Sequence, residues 1–222
     1  MSVLTFQRKL RALGDIHFCF LSQLAYNSEI LSKFVAMKRE KLIIMVWCLA
    51  LLTTSAQPAG VRLDTLQVKH IDGQGVTHTG TIVCNHTITD DLREIFAELY
   101  RQRYPIERIR PISDYGNDDE LSMRANNTSC YCYRKVAGSK TLSKHARGLA
   151  IDINPLYNPC VRRRKDGTLY IQPSTARRYA DRRASFPYKI TERDLCYRLF
   201  RQHGFVWGGH WRTVKDYQHF EK

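Results

Sequence analysis

Residues 143–155 read SKHARGLAIDINP, and this short stretch decides how the rest of the chain is read. Leu149, Ile151 and Ile153 alternate with Ala150 and Asp152, so the pattern predicts a half-buried strand over Leu149 to Ile153. A carboxylate in the middle of that strand, beside a small alanine, marks a face that something approaches closely. His145 lies just upstream, and Gly148 supplies the conformational freedom for a sharp turn from a short helix into the strand. Such a turn brings the imidazole beside Asp152.

Working outward, the C-terminal stretch Trp207 to Phe220 reads WGGHWRTVKDYQHF, and it holds a second carboxylate–imidazole pair. Asp216 and His219 are three residues apart, so a helical turn there puts both on one side. Metal-assisted hydrolysis needs three nitrogen or oxygen ligands, an open position and a nearby base. His145, Asp152 and His219 can supply the ligands and Asp216 the base. The blander reading is a satisfied surface histidine and a capping aspartate, and spacing alone leaves both open because no HExxH-type motif is present.

Upstream, Leu66 to Ile71 and Thr79 to Val83 read as strands joined by a turn at Asp72-Gly73-Gln74-Gly75, after a short leader over 57–64. A helix is expected from Thr89 or Asp90, either of which can cap it, to Tyr104, with Leu92, Ile95, Phe96 and Leu99 at helical spacing and Pro105 as its stop. Ile106 to Ile112 reads as short and extended, Asp114 to Asn127 shows no core pattern, and Tyr131 to Val136 reads as a strand. Residues 154–191 form a Pro- and Arg-rich excursion that includes Arg162-Arg163-Arg164-Lys165. A second helix is expected over Thr191 to His203, with Thr191 as cap, Asp194 in its first turn and Gly204 as stop, then a final strand over Phe205 to Trp207. Short strands around two helices predict a single α+β domain.

The whole chain has 222 residues and a net charge of +14. That charge suits a polyanionic partner without choosing one. A nucleic-acid role lacks support from any helix-turn-helix or aromatic–basic RNA motif. The stretch Met37 to Gln57, MKREKLIIMVWCLALLTTSAQ, has a positive head, an apolar run from Leu42 to Leu52 and small residues at Thr54-Ser55-Ala56. This is the three-part order of a secretory signal over 37–56, with an apolar run too short for a membrane span. Residues 1–36 then read as a misassigned upstream extension, and 57–222 as the mature domain, with its core at about 84–222. Cleavage after Ala56 leaves a net charge of +10 and no stable membrane span. Five cysteines remain (Cys84, Cys130, Cys132, Cys160 and Cys196), and an odd number leaves at least one thiol unpaired within a chain. Cys130 and Cys132 sit too far apart at Cβ, on one strand face, for a comfortable mutual bridge. Pairing of either with Cys160 or Cys196 stays open.

From about Leu66 onward the chain resembles the zinc D-alanyl-D-alanine carboxypeptidase/L-alanyl-D-glutamate peptidase family, which shares its fold with the hedgehog signalling domain. The resemblance is carried by SKHARGLAIDINP, by NNTSCYCYR at 126–134, by Asn158-Pro159, and by the closing WGG and KDYQHF. It implies a small antiparallel sheet with flanking helices, one Zn²⁺ held by His145, Asp152 and His219, Asp216 as catalytic base and Arg134 in contact with substrate. It also implies a substrate-side or supporting role for Ser143, and peptidoglycan peptides as substrates, cut outside the cell or in the periplasm. Two departures from the family pattern stand out. His210 occupies a place where an aspartate is expected after Trp-Gly-Gly, either as an alternative ligand or, preferably, as a change at the pocket rim. Cys130 and Cys132 replace small, aromatic or Asn residues. The competing reading is a zinc-stabilised cell-wall binding module without hydrolysis, which has no need of Asp216. On the signal-peptide reading, N-terminal sequencing of exported protein finds a start near Gln57; an intact 1–36 segment overturns it.

Overall fold

Alternation along Leu63–Ile71 buries Leu66, Val68 and His70 on one side, and this strand, β1, pairs antiparallel with β2 (Thr77–Asn85) from Leu63↔Asn85 to Ile71↔Thr77. The computed structural model describes residues 60–136 and 138–222; the stretches read as an upstream extension, 1–36, and as a signal segment, 37–56, lie outside the described residues. Asp72 builds the turn, its Oδ1 accepting from the backbone N–H groups of Gln74 and Val76 at 2.9 Å each. β1 begins at Leu63, so the leader ends two residues earlier than its composition suggests.

Helix α1 (Thr89–Arg101) lays Leu92, Ile95, Phe96 and Leu99 on the hairpin, the i, i+3, i+4, i+7 stripe of an amphipathic helix. Neither Thr89 nor Asp90 caps it. A short 3₁₀ turn (His86–Ile88) precedes the helix and is capped by Asn85, whose Oδ1 accepts from Thr87 N at 3.0 Å. The Thr89 hydroxyl turns inward instead and donates to Asp64 Oδ2 at 3.0 Å. The helix also stops three residues early: Arg103 takes φ 56° and Tyr104 N returns to Leu99 O at 2.8 Å, which closes the last turn before Pro105.

Several other elements differ from the expected ones. Asp114 to Asn127 contains a capped helix, α2 (Asp119–Arg124), with Asp118 accepting from Leu121 N at 3.0 Å. The extended piece shrinks to β3 (Arg108–Ile109), which pairs in parallel with β4 (Asn127–Thr128). Tyr131 to Val136 is irregular, because its backbone bonds go to several partners: Tyr131 N to Val83 O, Cys132 N to His145 O and Val136 N to Thr141 O. The Arg-rich excursion folds into β6 (Cys160–Arg163), β7 (Leu169–Gln172) and a 3₁₀ helix (Ser174–Tyr179) around a small core of Ile171, Ala176 and Tyr179. Helix α3 spans only Leu195–Gln202, since Asp194 rather than Thr191 is its cap, accepting from Cys196 N at 2.8 Å. Gly204, at φ 81°, ends it as expected. Strand β8 (Val206–Trp207) is not the last; β9 (Val214–Asp216) and β10 (His219–Glu221) follow.

The sheet that matters for the site has the order β5–β10–β8, antiparallel throughout, with β5 at Ala150–Asp152. A second antiparallel sheet runs β7–β6–β9. Small antiparallel sheets with few helices make this the expected α+β architecture. Behind β10 lie Phe200, Phe205 and Phe220, all fully buried; Phe200 stacks on Phe220 at 4.4 Å and meets Phe205 edge-on at 5.1 Å. Each such ring contributes about 1.5–3 kcal/mol by burial, and Phe220 therefore pins the register of β10. Slipping β10 by one residue would drive its flanking polar residues into this aromatic core. Phe200→Ala is expected to lower unfolding free energy by about 3–5 kcal/mol, read from the denaturant midpoint with an unchanged slope.

Candidate metal centre

His145 opens a short 3₁₀ turn, His145–Arg147, that is stapled at both ends. At its start the Ser143 hydroxyl accepts from His145 N at 3.2 Å, while Ser143 N donates to Arg134 O at 3.0 Å. At its end Gly148 takes φ 67° and donates to His145 O at 2.9 Å. A Cβ on Gly148 would sit 2.6 Å from Asn85 N, so glycine is required both for the left-handed turn and for the approach to β2. The chain then enters β5, where Ile151 and Ile153 join the core and Asp152 faces the opposite way. This strand is buried on both faces rather than half-buried.

Strand register supplies the next ligand candidate. In the β5–β10 pair His219 stands directly across from Asp152, and cross-strand partners share a face. The three inward atoms form a nearly equilateral triangle: His145 Nε2 to His219 Nδ1 is 3.1 Å, His219 Nδ1 to Asp152 Oδ1 is 3.2 Å, and His145 Nε2 to Asp152 Oδ1 is 3.3 Å. Ligands on a tetrahedral ion with bonds of about 2.0–2.1 Å stand about 3.3–3.4 Å apart, so the triangle is one face of such a tetrahedron. All three residues are buried, and they form the one group of three or more such side chains among the described residues able to hold a metal.

Outer partners fix both rings. His145 Nδ1 donates to Cys130 O at 2.7 Å, which leaves the Nε2 lone pair pointing inward. His219 Nε2 lies 3.1 Å from Glu221 Oε2, the carboxylate–imidazole pairing that orients a metal ligand and raises its basicity. Glu221 follows His219 by two residues on the same strand face, a signal that alternation could have revealed. Trp211 flanks His219 with ring centroids 5.0 Å apart.

Burial disfavours charge on His219, but the bonds to Asp152 and Glu221 outweigh it and raise its pKa to about 10. Burial also works against the Asp152 carboxylate, yet the charges and hydrogen bonds of His145 and His219 pull it far below the usual carboxylate range.

Asp216 and His219 do not share a helical turn. β9 ends at Asp216 and β10 begins at His219, and the two residues between them are pinned: Trp207 Nε1 donates to Tyr217 O at 3.0 Å, and Ile153 N to Gln218 O at 3.0 Å. Asp216 still reaches the cluster from the neighbouring sheet. Its Oδ1 is out of solvent contact and has no hydrogen-bond partner. Burial, followed by the Asp152 charge, raises the Asp216 pKa to about 6, against the opposing pull of His219 and His145. Gly208 permits this crowding, since a Cβ there would lie 2.9 Å from Asp216 Cβ and 3.3 Å from His219 Cβ.

Arg134 sits at the cluster's edge, its Nε 2.8 Å from Asp119 Oδ2. Burial opposes its charge, but Asp119, Asp152 and Asp216 together keep it firmly protonated. Asp119 was illegible from sequence, because its stretch of polar residues carries no periodic signal. His210 is not among the ligand candidates: it is exposed, hydrogen-bonds Glu192 at 3.0 Å and meets Trp207 edge-on. The five cysteines at 84, 130, 132, 160 and 196 are all free. Cys160 is the cross-strand neighbour of Asp216, and burial plus that carboxylate push its thiol up.

A neutral imidazole is needed for ligation, so uptake of a divalent ion must expel the His219 proton. With the His219 pKa raised to about 10 by Asp152 and Glu221, binding at neutral pH should therefore release roughly one proton from this residue and tighten as pH rises. Calorimetric titration with Zn²⁺ in buffers of different ionisation enthalpy reads that proton directly; buffer-independent heats at neutral pH contradict it.

Residues 137–222 match the family described as D-alanyl-D-alanine carboxypeptidase. No curated protein and no solved structure matched the chain. Arg134 lies just outside the matched residues, whereas the triangle and Asp216 lie inside them. The match supports the resemblance read from the sequence over residues 137–222, the part of the chain that carries His145, Asp152, Asp216 and His219.

Proposed function

We propose that this chain is a zinc-dependent peptidase that hydrolyses short D-amino-acid-containing peptides of bacterial peptidoglycan, and that it acts after export. The observation that carries the reading is the triangle of inward donors at 3.1–3.3 Å with an unpartnered, buried carboxylate oxygen of Asp216 beside it. Two imidazoles and one carboxylate are a donor set that suits zinc and leaves one position of a tetrahedron open. Held by His145, Asp152 and His219, zinc supplies Lewis acidity towards a peptide carbonyl and acidifies water.

The remaining work falls to this chain's own groups. Asp216 Oδ1 accepts a proton from the attacking water, and the same carboxyl returns it to the departing amine. A pKa near 6 suits both halves of that task at neutral pH. The Arg134 guanidinium, fixed by Asp119, supplies positive charge where the carbonyl oxygen becomes anionic. Ser143 acts through its bond to the His145 backbone, holding the turn that aims the first imidazole. Glu221 and the Cys130 carbonyl keep the two rings in their ligating tautomers.

Asp216→Asn keeps the shape and removes the proton acceptor. Zinc content by elemental analysis should be unchanged, while hydrolysis of D-alanyl-D-alanine peptides falls by about 10²–10⁴-fold. His145→Ala, Asp152→Ala and His219→Ala should each lose zinc as well as activity. Wild-type activity should fall as pH drops through the Asp216 range, because protonation there removes the base. Full zinc occupancy with no cleavage of any muropeptide by wild-type protein would favour the binding module instead.

A further inference from the structure

The β7–β6–β9 sheet has two unlike faces. On one, Val161 and Ile171, which are register partners, pack on Ala176 and Tyr179. On the other, alternation collects Cys160 and Arg162 of β6, Gln172 and Tyr170 of β7, and Asp216 and Val214 of β9. Asp216, Cys160 and Gln172 make the innermost row, and Val214, Arg162 and Tyr170 make the next. The open face of this sheet therefore begins at the proposed base and leads outward to a basic, aromatic row.

That outer row is organised. The guanidiniums of Arg162 and Arg164 both lie over the Tyr170 ring, 5.2 and 5.4 Å from its centroid. A shared ring restrains two flexible side chains but does not neutralise two like charges. Neither arginine forms an ion pair among the described residues. The nearest acid along the hairpin, Asp166, uses its Oδ1 on Thr168 N at 2.9 Å and Thr168 Oγ1 at 2.6 Å. Successive rows are about 7 Å apart, which puts the Tyr170 row about 7 Å along the strands from the Asp216 row, with both guanidiniums within 5.4 Å of the Tyr170 ring centroid.

We propose that Arg162, Tyr170 and Arg164 form a carboxylate-binding subsite of the Asp216 centre, one that holds an acidic group about two to four residues from the bond to be cleaved, given about 3.3–3.6 Å per extended residue. This rests on the peptidase reading above. The occupant is an acidic peptide rather than a polyanionic polymer, because both arginines come from one hairpin and the face they share leads to the proposed base. Arginine suits the task, since its fork matches a carboxylate.

The test uses two fluorescent peptides that end in D-Ala-D-Ala, one with D-glutamate three residues before the terminal bond and a twin with D-glutamine. Zinc-loaded Asp216→Asn protein keeps both intact and should bind the acidic twin about tenfold more tightly. Adding Arg162→Gln and Arg164→Gln should abolish that preference with unchanged zinc content and thermal melt, both side chains being exposed. With Asp216 present, the double replacement should raise KM for the acidic twin alone and leave kcat unchanged. Equal binding of the twins, or a preference that survives the double replacement, overturns the subsite. So does a double variant that loses affinity only for long-chain polyphosphate, which would mark a polyanion surface. Wild-type protein that prefers the acidic twin but cleaves neither refutes the peptidase reading and leaves the subsite standing.

Discussion

Two imidazole nitrogens and a carboxylate oxygen are crowded within 3.3 Å of one another in a buried pocket, and such a cluster is stable only with positive charge at its centre. Much of the surrounding architecture answers to the same constraint. The β5–β10 register sets His219 across from Asp152, and Phe220 fixes that register from behind. Gly148 turns His145 towards them, and Gly208 lets Asp216 and His219 come close without backbone strain. Remove any of these and three donors no longer converge.

The same geometry sorts the carboxylates by environment. Asp152 faces two imidazoles and stays ionised; Asp216, with an unpartnered oxygen and Asp152 for a neighbour, holds its proton to a higher pH. Two neighbouring acids thus divide by environment into the pair of characters that a ligand and a proton carrier need, without any difference in residue type. Asp119 is a third case: burial raises its pKa, against the pull of Arg134, and it serves as that guanidinium's anchor.

Much of this was legible in the sequence where a local rule governs. The hairpin, the stripe of α1, the alternation around Asp152 and the Gly204 stop all follow from periodicity or backbone freedom. What escaped depended on long-range pairing. Two- and three-residue strands such as β8, β9 and β10 carry too few residues to show a period, so Asp216 and His219 looked like neighbours on a helix. Thr89 and Thr191 are good caps by type, but Asn85 and Asp194 hold the positions that matter. The Arg-rich segment hid a small core because its apolar residues are widely spaced among charges. Asp119 had no motif to announce it; its role exists only once Arg134 is folded beside it.

The distribution of the three donors along the chain also orders events in time. His145 and Asp152 are seven residues apart across one tight turn, so they can meet early. His219 lies 67 residues beyond Asp152 and 74 beyond His145, a loop whose closure carries a large entropic cost before any contact rewards it. The third donor arrives only when β10 docks. A cation at this centre would therefore gain its third ligand only once β10 has docked, and would oppose the loss of that strand.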